Sequence, residues 1–228
     1  KMMYGVLYGD LLMTLVNQCK PYEVEKGTAQ ALADRWTRQL AGELTARRTG
    51  GYRRVKANYR RILDQFAAIP MERRDTLKVG VVGEIFVKYS PLGNNNLEQF
   101  LVDEGAEVVI PGLMDFCLYC VYNNMLDHQL YGMQKLSQPA YHAAYRYLVG
   151  KERDMIDAIA AHGRFTPPTL FTHTISLVQG TISMGVKMGE GWLLTAEMLE
   201  LADKGVGNIV CTQPFGCLPN HICGKGMM

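Results

Sequence analysis

The chain has 228 residues, 24 basic against 22 acidic side chains, a formal charge of +2, and a hydrophobic fraction of 48%. High apolar content at low net charge excludes intrinsic disorder, and 23 Gly and 9 Pro without a period exclude a collagen-like or low-complexity chain. No apolar run approaches roughly 18 residues, so no transmembrane helix is expected.

No basic segment leading into an apolar stretch opens the chain, which points to a cytoplasmic protein. Lys1-Met2 is not a natural start, and Ile222–Gly226 breaks off where a helix begins. The sequence reads as a fragment of a longer protein.

Residues 1 to about 68 read helical. Leu7, Leu11, Leu12, Leu15 and Val16 recur at helical spacing until Pro21. Ala31, Leu32, Trp36, Leu40 and Leu44 predict a second helix, ending towards Gly50-Gly51. Val55, Tyr59, Ile62, Leu63 and Phe66 predict a third, from about Tyr52 to Pro70. Leu77–Gly83 is a β-branched run bounded by glycine and predicts a buried strand. Glu84–Asn94 reads as a loop, and Asn95 with Glu98 as the capping box of a helix ending near Gly105. Glu107–Pro111 is the next strand, so strand, helix and strand form a βαβ unit.

Residues 115–163 read as mostly helical with a break at Pro139, and 170–189 suit either state. Trp192–Ala202 predicts a helix, Asn208–Cys211 a strand, and Gln213–Asn220 a strand-to-helix loop. The pattern predicts a three-layer α/β fold with a mainly parallel sheet, preceded by a helical connecting segment over 1–75, with the α/β domain over 76–228.

Six cysteines are too few for a disulfide framework, but they cluster. Cys117 and Cys120 form a C-x-x-C, and Cys211, Cys217 and Cys223 recur at intervals of six. Thiolates hold zinc and iron–sulfur clusters, whereas Cys19 reads as a core thiol. Cys217 stands out, because its loop follows a parallel strand at the carboxyl edge, where open α/β sheets bind ligands. A helix N-terminus there favours an anionic thiolate. His221, in the same loop, is a further metal-ligand or hydrogen-bond candidate. Glu84, after the first strand, and Glu190, in Gly189-Glu190-Gly191-Trp192, are candidate catalytic acids, bases or substrate contacts; helix capping is the alternative for both. Arg47, Arg48, Arg53, Arg54, Lys56, Arg60 and Arg61 place seven basic residues in fifteen, with Tyr52 and Tyr59 among them. Phosphates of coenzyme A, or a partner protein, suit this stripe; the near-neutral chain as a whole does not predict nucleic-acid binding. No P-loop or dinucleotide fingerprint is present.

Three stretches carry a resemblance: Val79–Tyr89 with Asn94-Asn95-Asn96-Leu97, Gly189–Met198, and the loop Gln213-Pro214-Phe215-Gly216-Cys217-Leu218-Pro219-Asn220-His221. Together with Asp10–Met13 and Lys20–Val24 they resemble the family related to the D-component of 2-hydroxyglutaryl-CoA dehydratase, whose members are described as acyl-CoA dehydratase activase-related proteins. The resemblance implies a Rossmann-like module. It also implies that cysteines hold a 4Fe–4S or double-cubane iron–sulfur cluster between two domains, that an activase ATPase delivers one electron, and that a 2-hydroxyacyl-CoA loses water through a ketyl radical. On this chain it implies Cys217 as the leading metal ligand, then Cys120 and Cys211, then Cys117 and Cys223.

The departures are the absence of the family's preceding cysteine-containing α/β domain, which makes that domain an expected partner, and of the activase's ATP-binding motifs. The chain alone is therefore expected to hold an incomplete cluster site, and the sequence leaves the helices at 115–163 to pack either within the chain or across a dimer. The competing readings are a non-catalytic binding or scaffold module, and a structural zinc protein using Cys211, Cys217, Cys223 or His221.

Overall fold

Three helices come first, where the periodicity predicts them: α1 (Met2–Cys19), α2 (Thr28–Thr45) and α3 (Gly51–Ala67). The computed structural model describes residues 1–46, 51–72 and 74–228. In α1 the stripe Leu7, Leu11 and Leu15 is completely sealed from solvent, and α3 buries Val55, Tyr59, Ile62 and Phe66 along one face, the i, i+4, i+7 spacing of a core-facing helix.

The sheet has three strands, β1 (Lys78–Gly83), β2 (Glu107–Val109) and β3 (Asn208–Thr212), in the order β2-β1-β3. Both pairings are parallel, with Val79 opposite Val108 and Val81 opposite Val210. The central strand is buried from Val79 to Gly83, which is why it reads as a continuous apolar run rather than an alternating one. The chain is thus an α/β protein, mostly helical, around a small open parallel sheet.

Between and after the strands lie α4 (Ile85–Tyr89), α5 (Leu97–Asp103), α6 (Leu113–Tyr131), α7 (Gln138–His162), α8 (Phe171–Val178) and α9 (Gly191–Asp203). A last turn, α10 (Leu218–Asn220), runs into a wider turn over His221–Lys225. No helix among the described residues is long and apolar enough to cross a membrane.

Three local expectations change. The segment 84–94 is not all loop, because Glu84 caps α4 through its side chain. The capping box at Asn95 and Glu98 does not form: Asn94 Oδ1 accepts from Leu97 N at 3.1 Å, and Glu98 pairs with Lys20. The break expected at Pro139 falls just before it, over 132–137 between α6 and α7, and Pro139 itself sits in the first turn of α7, where its missing N–H costs nothing.

One apolar cluster runs through α1, α2 and α3 and on into α6, α7, α8 and α9. At its centre Tyr119, Tyr122, Phe171 and Trp192 meet ring against ring, with centroids 4.9–6.4 Å apart. A second, smaller cluster joins Val82 of β1 to Leu194, Met198 and Leu201 of α9 and to Cys223. There α9 lies directly on the sheet: a Cβ at Gly80 would stand 2.5 Å from Leu201 Cδ1.

Candidate functional site

Three loops converge where β1 and β3 end. The first holds Glu84, the second runs from Val186 to Glu190, and the third from Gln213 to Asn220. They are pinned to one another by Glu190, the residue before α9, whose Oε1 accepts from Ile85 N at 2.9 Å and whose Oε2 accepts from Asn220 Nδ2 at 3.4 Å. Gly189 packs against Pro219, so that an added Cβ would lie 3.2 Å from its ring.

Cys217 sits half-buried in this mouth, and Asn220 Nδ2 donates to its Sγ at 3.2 Å. His221 is exposed, its Nδ1 3.4 Å from Gln213 Nε2. Two buried acceptors in the same loop, Asn220 Oδ1 and Gln213 Oε1, have no hydrogen-bond partner among the described residues. Around them Phe86, Met188, Phe215, Leu218 and Ile222 expose apolar side chains, Phe215 completely.

The other candidate residues are distributed differently. Glu84 spends its carboxylate on Val87 N (2.9 Å), the capping alternative for that residue. Cys211 lies under Gly224, where an added Cβ would come within 2.8 Å of its Sγ, and Cys223 is sealed in the second apolar cluster. Burial pushes the Cys211 thiol up, with Glu197 and Cys217 adding to it. Cys117 and Cys120 lie on α6, one half-buried and one exposed, and burial raises both thiols. Cys19 is fully buried in α1, its thiol pushed up to about 12 by burial.

A cubane cluster takes a complete set of cysteine thiolates. Among the described residues no three His, Cys, Asp or Glu side chains stand close enough together to hold a metal ion. Cys217 is the thiol set among the polar groups of the mouth, with Asn220 Nδ2 against its Sγ.

The basic stripe of α3 is largely spent on neighbours. Arg54 pairs with Glu43 at 3.0 Å, Lys56 with Asp154 at 2.6 Å, and Arg61 lies over the Trp36 ring. Arg47 and Arg48 lie outside the described residues.

Sequence reasoning missed a set of buried carboxyls behind the mouth. Asp10, Asp115, Glu152, Glu197 and Glu200 are each no more than 6% exposed. Asp10 accepts from Leu113 N and Met114 N, both at 2.8 Å, and so caps α6 from α1. Burial nevertheless raises its pKa to about 6. Glu152 accepts from Phe171 N at the start of α8, and burial raises it to about 7. Asp115 is driven well above the usual carboxylate range, by burial first and then by Glu152 and Glu200. Glu197 is raised by burial in spite of Lys88, whose Nζ lies 2.7 Å away. Glu197 and Glu200 could have been flagged, since they interrupt an otherwise apolar helix; the other three are brought in from distant segments.

Fold and mouth together define an α/β protein with three loops meeting at the carboxyl edge of a small parallel sheet. No family model, no curated protein and no solved structure matches the chain.

Proposed function

We propose that the chain belongs to an iron–sulfur component of an ATP-dependent radical 2-hydroxyacyl-CoA dehydratase, or of a related acyl-CoA reductase, in which a Rossmann-like three-layer domain offers Cys217 to a cluster completed from outside this chain. The observation that carries the reading is the convergence of three carboxyl-edge loops on one half-buried thiol. Neutral hydrogen bonds to a ligating sulfur tune a cluster's potential, and Asn220 Nδ2 already makes one such contact. The exposed apolar side chains around the mouth suit cover by a second domain. In this reading the missing domain, an activase ATPase and an acyl-CoA are the partners, and Cys211, Cys120 and Cys117 are reserve ligands.

The test is iron and acid-labile sulfide in anaerobically reconstituted full-length protein, with and without Cys217→Ser. Iron that falls in the variant supports the proposal, and iron unchanged in it removes Cys217 from the ligand set. A second reading, a non-catalytic binding module, is favoured by the packing of Cys211 and Cys223 in an apolar cluster. Wild-type protein that binds no iron decides for it. Stoichiometric zinc, with unfolding by chelator, decides for a structural zinc site.

A further inference from the structure

The hairpin of α6 and α7 ends in apolar side chains that stand in solvent. Leu130, Tyr131, Met133 and Tyr147 are each about half exposed, and Leu136 is 99% exposed. Leu136 lies in the turn Lys135–Ser137 that leads into α7. From there Leu136, Ala140, Ala143 and Tyr147 follow at i, i+4, i+7 and i+11, one line along the helix, and all four are exposed. Farther along α7 the same line meets α3, where Lys151 lies over the Tyr52 ring and Asp154 pairs with Lys56 at 2.6 Å. The turns before it face water.

The charge on this face has one sign. No Asp or Glu occurs between Asp127 and Glu152, a span that holds Lys135, Arg146, Lys151, His128 and His142. Lys135, His142 and Arg146 are exposed, and the last two flank the apolar line of α7. The acids that bound the span are spent elsewhere: Asp127 pairs with Lys187, and Glu152 is buried against Phe171 N. The neighbouring loop packs on the tip at Gly185, where an added Cβ would lie 3.5 Å from the Tyr131 hydroxyl and 3.7 Å from Leu130 Cδ1. That loop adds no acid either, since none occurs from 163 to 189.

We propose that the tip of the α6–α7 hairpin docks on the surface of an anionic lipid bilayer, with Tyr131, Met133 and Leu136 entering the headgroup region and Lys135 and Arg146 facing the lipid phosphates. Amphipathic surfaces of this kind sink about 5–10 Å into the headgroup boundary. Tyrosine rings favour that depth, and lysine and arginine stems reach back from it to the phosphates. Leu130, Tyr131, Met133 and Leu136 stand on both sides of one turn, so a fluid surface meets them together where a rigid protein surface meets one side. A second copy fits less well, because a two-fold contact would bring the basic flank of one chain against the same flank of the other. The contact is peripheral and needs no membrane-spanning helix. The proposal is independent of the iron–sulfur reading.

The experiment is cosedimentation of the 228-residue chain with phosphatidylcholine vesicles, alone or with about one third phosphatidylserine, at ~0.1 M and ~1 M salt. Expected is binding to the anionic vesicles at the lower salt only. Lys135→Ala and Arg146→Ala are each expected to weaken it about fivefold, and Leu136→Ser about tenfold. All three side chains are exposed, so the variants should melt with the wild type, which circular dichroism checks. No binding, equal binding to neutral lipid, or binding that Leu136→Ser leaves unchanged overturns the proposal. A dimer in sedimentation equilibrium that Leu136→Ser dissociates, without vesicle binding, overturns it in favour of a second copy. Binding to soluble polyglutamate as tight as to the vesicles overturns it in favour of an acidic protein.

Discussion

Lys88 Nζ stands 2.7 Å from Glu197 Oε1, with both side chains at most 3% exposed. The pair joins α4, at the end of β1, to α9, which packs on that strand, so it fastens the carboxyl edge of the sheet from behind. Removing one partner strands a buried charge. Lys88→Met is expected to cost about 3–5 kcal/mol in urea unfolding, and the double variant with Glu197→Leu to recover most of it. A double variant as unstable as the single one would mean that the charge is not what the first substitution exposed.

The buried carboxyls set the pH dependence. Glu152 rises from 4.5 to about 7 and Asp10 from 3.8 to about 6 on folding, both through burial. The folded state therefore binds more protons than the unfolded one between those values. Stability from these groups is fully present below about pH 4 and is lost as pH rises through 6 and 7. Thermal unfolding should show melting temperature falling across that window, and Glu152→Gln should flatten the fall and raise the melting temperature at pH 8. A variant with the wild-type slope contradicts the assignment.

Asp10→Ala removes both acceptors at the start of α6. Loss of a helix cap of this kind costs about 1–2 kcal/mol. Amide exchange should quicken first at Leu113 and Met114, whose N–H groups lose their partner. Uniform quickening across the chain would point to global destabilisation instead.

Gly83, the last residue of β1, has φ +143°, and a Cβ there would lie 1.9 Å from Thr212 O. That contact is with backbone, so relief requires β1 and β3 to separate. Gly83→Ala is expected to shift amide resonances in the Glu84 and Gln213–Asn220 loops more than in α1–α3. Changes confined to residue 83 and its neighbours would show that the strands' spacing does not set the mouth.

The three strands and the helices α1, α2, α3 and α9 were legible because each carries its own periodicity or β-branched run. Helix α4 was not, since five residues are too few to repeat. The cap of α5 was misplaced by one residue because Asn94, Asn95 and Asn96 offer the same chemistry, and only the left-handed backbone of Asn95 and Asn96 decides which side chain turns back. Cys217 and Glu190 were legible from their loops, but not that Glu190 ties Ile85 to Asn220. The buried carboxyls, at 10, 115, 152, 197 and 200, come from four helices, and no window of sequence contains them together.

The most direct measurement is the alkylation rate of each cysteine, read by mass spectrometry, in the full-length protein before and after anaerobic reconstitution with iron and sulfide. The account predicts that Cys217 reacts readily in the iron-free protein while Cys19 and Cys223 do not, and that iron loading protects Cys217. Cys217 alkylated at the same rate in iron-loaded protein would contradict it.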